Sequence, residues 1–174
     1  MENIDWNNKN VVLEAVKQNG LALQFASEKL QDDKNVVLEA VKQDGWALAY
    51  ASENLRDDKN VVLEAVKQNG LALQFASEKL QDDKNVVLEA VKQKGWALAY
   101  ASKELQDDKE IALTALQNGS DMFIYVSPRL QHDQEVQKAA GLEPDIDTVL
   151  GDAKKWCQEH NDAPTAQPKL NIER

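Results

Sequence analysis

The sequence predicts an all-α protein, an α-solenoid of 25-residue helical hairpin repeats with a C-terminal amphipathic capping helix. Three observations predict it. Lysine recurs at 9, 34, 59, 84 and 109 and glycine at 20, 45, 70 and 95, a constant spacing of 25 residues that is the scale of stacked supersecondary units. The segment DDKNVVLEAVKQ stands unchanged at 32–43, 57–68 and 82–93. Within each copy the apolar residues cover a wide helical arc: Val36, Val37, Leu38, Ala40 and Val41 span about 200° at 100° per residue. One neighbour cannot cover that arc, so each helix must meet its hairpin partner and the adjacent repeats.

The elements follow in order. Residues 1–8 are a lead-in, and five repeats occupy 9–33, 34–58, 59–83, 84–108 and 109–133. An Asp pair opens the first helix of the second to fifth repeats. Asp32 is placed to accept a hydrogen bond from an amide two or three residues on, and its charge complements the helix dipole. In DDKE at 107–110, Glu110 three places after the cap makes a capping box. Gly45 is expected in the left-handed conformation that ends the helix. A second helix follows at once, WALAYASENL in the second repeat, with Ala47, Leu48, Ala51 and Leu55 inward and Trp46 and Tyr50 on the flank. The fifth repeat is blurred: Gly119 is displaced by one place, Asp121 replaces the expected Trp or Leu, and Pro128 enters. Residues 134–160 are a truncated repeat, starting near His132 and cut short at Gly141, followed by the capping helix, where Ile146, Val149, Leu150, Ala153 and Cys157 share one face. The tail, 161–174, has two prolines and little to bury, and is expected to be mobile.

A second period is superimposed on the first. The blocks 9–58 and 59–108 differ only at Asp44/Lys94, Glu53/Lys103, Asn54/Glu104 and Arg56/Gln106, and every difference is polar on both sides. Recent duplication explains such identity. So does a surface repeated for a partner that itself repeats.

Composition narrows the partners. A net charge of −10 opposes nucleic acid and anionic membranes by long-range repulsion, and no basic stripe offsets it. The single cysteine cannot form an internal disulfide, and the N-terminus lacks the basic start and apolar run of a secretory signal. A cytoplasmic protein is expected, with export as an effector lacking a classical signal peptide as the alternative.

Chemistry finds little footing. Cys157 and His160 lie three apart, and Cys–His pairs activate thiolates, but Cys157 belongs to the apolar face of its helix. The Asp pairs at 32/33, 57/58, 82/83 and 107/108 lack the alternating oxygen ligands and distal Glu of a calcium loop, and each stands where a cap is needed. Asn118–Ser120 matches a glycosylation sequon and reads as helix-ending turn chemistry. No catalytic residue, cofactor or metal is expected, and the protein is not expected to be an enzyme.

Binding has a stronger claim. Leu21, Trp46, Leu71 and Trp96 alternate at one position, followed four residues later by Phe25, Tyr50, Phe75 and Tyr100. These residues either interlock successive layers or present an aromatic row to a peptide. The candidate partner-binding residues are Trp46, Tyr50, Glu53, Trp96, Tyr100, Lys103, Gln24 and Gln74. The expected role is a scaffold for a protein or peptide partner, with a monomer favoured. The alternative is a structural element that self-assembles through its repeat ends.

The repeat sentence resembles a family of short helical repeats catalogued as domain of unknown function 4116. The resemblance rests on the Asp–Lys start, the Val–Leu–x–Ala–Val core, the Gly turn and the Ala–Leu…Ala–Ser…Leu second segment, over about residues 9–133. It implies an array of helical hairpins of a kind found in bacterial and protist proteins, some similar to secreted effectors. It implies no reaction.

Overall fold

Ten-residue α-helices recur at Lys9–Gln18, Lys34–Gln43, Lys59–Gln68 and Lys84–Gln93 in a computed structural model that describes residues 5–142. Among the described residues there is helix and no strand. Each long helix packs on the long helix of the next repeat, and the apolar arc faces inward as the pattern requires: Val36, Val37, Ala40 and Val41 have no exposed surface. Val11, the first-repeat counterpart of Val36, remains 36% exposed. The difference shows that the preceding repeat completes the burial.

The segment expected as a second helix is broken in two. In the second repeat a 3-10 helix, Gly45–Tyr50, is followed by extended backbone at Ala51 and then by a four-residue α-helix, Glu53–Arg56. Ser52 is the cause. Its N–H donates to Gln31 O of the preceding repeat at 2.9 Å instead of continuing a helix, and its Oγ accepts from Leu55 N at 3.3 Å as an N-cap. The same cross-repeat backbone bond joins Ser77 to Arg56, Ser102 to Gln81 and Ser127 to Gln106. The unit is thus a long helix, a 3-10 helix and a short helix, not a simple hairpin.

The glycines also act differently from expectation. Gly20, Gly45, Gly70 and Gly95 do not have positive φ; among the described residues only Gly119 and Gly141 do. What Gly45 supplies is a missing side chain: a Cβ there would stand 2.4 Å from Ala65 O of the next repeat. The backbones of adjacent repeats touch at this point, and any side chain would push them apart.

The helix cap is the second residue of each Asp pair, not the first. Asp33 Oδ1 accepts from Asn35 N and Val36 N at 3.1 and 3.3 Å. At the fifth repeat Asp108 caps the helix through Ile111 N, so Glu110 is one place too early for a capping box and instead meets Lys84 at 2.9 Å.

The ends of the array depart from the repeat. Trp6 stands where later repeats have Gln31, since Ser27 N donates to Trp6 O at 3.1 Å, and its ring lies 5.2 Å from that of Phe25. The fifth long helix is shortened to Lys109–Leu116 and followed by the exposed Gly119 at φ 142°. Pro128 opens the short helix Pro128–Gln131, the position at which its missing N–H does least harm. A sixth helix, Gln134–Ala139, ends before Gly141 at φ 72°. The expected capping helix, Cys157, His160 and the tail lie outside the described residues.

Candidate interaction surface

Each Asp pair joins one repeat to the next. Asp33 caps the helix of the following repeat through Oδ1 and binds Lys9, at the start of its own repeat, through Oδ2 at 2.6 Å. The bond recurs at Lys34–Asp58 and Lys59–Asp83, both 2.6 Å, at Lys84–Asp108, 2.8 Å, and at Lys109–Asp133, 2.9 Å. The first Asp of the pair looks the other way: Asp57 Oδ1 accepts from Ser77 Oγ of the following repeat at 2.6 Å, and Ser52, Ser102 and Ser127 donate to Asp32, Asp82 and Asp107 in the same manner. The carboxylates are thereby occupied by capping and by neighbours. Hydrogen bonding from lysine, together with the capping amides, holds Asp33, Asp58 and Asp133 below the ordinary carboxylate value. Burial pushes Asp83 and Asp108 upward, but Lys59, Lys84 and the capping amides outweigh it.

The ladder stops in neutral residues. Asn8 replaces Asp at the first cap, still accepting from Asn10 N and Val11 N, and Gln134 stands where the preceding repeats have lysine.

The aromatic residues of the repeats lie on the 3-10 segments. Trp46 is 38% exposed and packs edge-on against Phe75 of the next repeat, ring centres 5.5 Å apart; Trp96 is 46% exposed and meets Tyr125 at 5.8 Å. The tryptophans therefore pack between repeats without being fully buried. One part of each ring locks adjacent repeats and the rest faces solvent. Phe25, Tyr50, Tyr100 and Ile124 are exposed beside them on the 3-10 segments. Glu53 and Lys103 are exposed at the start of their short helices. Gln24 is exposed and Gln74 half-buried, and both turn their amides back onto the carbonyls of Leu21 and Leu71, at 3.1 and 3.0 Å. Those two are structural in part.

One feature of this face had only an indirect signal in the sequence. Glu53 and Arg56 form one wall of an open cleft of about 610 Å3, and Phe75, Ala76, Ser77 and Glu78 of the next repeat complete it. The signal was that two of the four positions separating the duplicated blocks, 53 and 56, lie here.

Residues 8–56 and 58–106 each match the family described as Domain of unknown function (DUF4116). The chain belongs to that family. Each DUF4116 match spans two repeats, so the family unit coincides with the 50-residue block and takes in both the leucine and the tryptophan versions of the 3-10 segment. The fifth repeat, where the helix shortens and Gly119 shifts, lies beyond the second match. No curated protein and no solved structure matches the chain.

Proposed function

We propose that the protein is a non-catalytic scaffold, an α-solenoid whose 3-10 edge binds one extended segment of a protein partner, in the cytoplasm or after export. The observation that carries this reading is the set of exposed large apolar side chains, Phe25, Trp46, Tyr50, Trp96, Tyr100 and Ile124, on the first, second, fourth and fifth 3-10 segments, with Leu71 and Phe75 of the third half-buried between them. Such a band on a soluble surface marks an interaction site, and partly exposed tryptophans and tyrosines are the side chains that dominate binding energy. Packed helices stand about 8–10 Å apart, so equivalent points two repeats apart are separated by about 20 Å. About six extended residues cover that span. Glu53, seven residues after Trp46, and Lys103, seven after Trp96, then select opposite charges at the two ends of the segment. The acceptor-to-lysine ladder ends in Asn8 and Gln134, neutral residues that favour a monomer over end-to-end stacking.

The test is a displayed library of 12-residue peptides panned against the full chain. Selected peptides should compete with one another and lose at least about tenfold in affinity, or about 1.4 kcal/mol, on Trp46→Ala or Trp96→Ala in a variant that keeps its helical circular dichroism. Peptides whose binding ignores both substitutions would contradict the reading.

A further inference from the structure

The duplicated blocks differ at four positions, and three of them fall on one short helix: Glu53, Asn54 and Arg56 in the second repeat against Lys103, Glu104 and Gln106 in the fourth. In the fourth repeat these residues satisfy each other. Gln106 Nε2 donates to the carbonyls of Leu98 and Ala101, both at 3.1 Å, and its Oε1 accepts from Lys103 Nζ at 2.9 Å. Gln31, Gln81 and Gln131 clasp their own 3-10 segments in the same way. Arg56 breaks the rule. Its Nε–H is buried without an acceptor, and the cleft's two carboxylates, Glu53 on the same wall and Glu78 on the other, enter no ion pair among the described residues. A local rule kept at four repeats and given up at one, beside a cleft, is the mark of a position serving something other than stability.

We propose that the cleft between Glu53, Arg56, Phe75 and Glu78 is a pocket for a basic side chain, arginine or lysine, on the bound segment. The proposal rests on the scaffold reading and assigns one of its contacts. Two carboxylates, one from each wall, outnumber the single guanidinium. Phe75 offers a ring to a cation, supported from behind by Trp46. Arg56 has further N–H groups for the carbonyls flanking the inserted residue. An acidic side chain would face both glutamates. At the junction of the fourth and fifth repeats Lys103 and Pro128 replace Glu53 and Glu78, so that junction is an internal control without the pocket.

The experiment titrates two synthetic peptides, acetyl-Gly-Ala-Arg-Ala-Gly-amide and its Glu counterpart, into the 15N-labelled full chain, reading the indole signals of Trp46 and Trp96. The Arg peptide should shift the Trp46 signal saturably, with half-saturation at about 1 mM, a typical single-contact affinity. Trp96 should stay in place, and the Glu peptide should leave both unmoved. The double variant Glu53→Lys with Arg56→Gln, which copies the fourth repeat and is thus compatible with folding, should abolish the shift. A Trp46 signal that does not move, or moves equally in the variant, overturns the pocket. Library peptides that still bind at both tryptophans in that case would leave the scaffold reading standing.

Discussion

Lys59 Nζ lies 2.6 Å from Asp83 Oδ2, while the other oxygen of Asp83 caps the helix that starts at the next residue, accepting from Asn85 N and Val86 N at 3.0 and 3.2 Å. One carboxylate thus fixes a helix start and ties it to the repeat before. The two duties separate by substitution. Asp83→Asn keeps a capping oxygen and loses the ion pair, as at Asn8, and should destabilise by less than about 1 kcal/mol. Asp83→Ala loses both and should lose about 1 kcal/mol more. Equal denaturation midpoints for the two variants would show that the cap contributes nothing.

The ladder sets a pH dependence. The folded-state pKa values of Asp33, Asp58, Asp83, Asp108 and Asp133 lie below the ordinary 3.8. Their contribution is therefore full above that value and is lost as pH falls through the lower folded values. Lys84, held up by the hydrogen bonds it donates to Asp108 and Glu110, and Lys109, held up by those it donates to Asp133 and Glu135, lie above 10.5. Their contribution is present below 10.5 and lost as pH rises through the folded values. From these groups, melting temperature should be flat between about pH 5 and about pH 9 and fall below and above that range. Asp83→Asn should make the acid limb shallower; an unchanged limb would contradict the assignment.

Gly45→Ala tests the backbone contact. A Cβ 2.4 Å from Ala65 O has no flexible side chain to displace, so the repeats must separate, at a loss of about 1–3 kcal/mol. Were Gly45 a left-handed turn residue, Gly45→Asn would be tolerated. Both variants should instead lower the melting temperature.

The two blocks have complementary defects. Asp44 Oδ1 accepts from Trp46 N at 2.9 Å, as Asn19 and Asn69 do at their own 3-10 starts, but Lys94 makes no side-chain cap. Lys94→Asn should therefore stabilise by about 1 kcal/mol. Arg56→Gln should stabilise by about 1 kcal/mol or more by restoring the clasp and removing a buried unpaired donor. Chemical denaturation of both variants checks the pair; a loss of stability in Arg56→Gln would mean that the arginine is structural.

What the sequence showed was what lies within one helical turn. Val36, Val37, Ala40 and Val41 announced a buried face, and the 25-residue period announced stacking, because both are local or strictly periodic. The role of Gly45 was misread because its constraint comes from Ala65, twenty residues away in the next repeat. For the same reason WALAYASENL looked like one helix: its propensities are helical, and the diversion at Ser52 is made by Gln31 O. The division of labour in each Asp pair was hidden too, with partners at Lys9 and Ser52 for Asp33 and Asp32. A signal was available. Lysine with an acid 24 residues later recurs in every repeat, and the Gln of the clasp is missing only at Arg56. The aromatic row was legible as a candidate, but its partial exposure depends on how far Trp46 overlaps Phe75, which no spacing reports.

The central claim is that the 3-10 edge reads one extended segment with opposite charge preferences at its ends, and the charge swap Glu53→Lys with Lys103→Glu tests it most directly. Panning the same peptide library against the full chain and the swapped variant should give two consensus sequences. The account predicts a basic residue about six positions from an acidic one, with their order along the peptide reversed in the variant. An identical consensus from both proteins, each folded and each bound at Trp46 and Trp96, would contradict it.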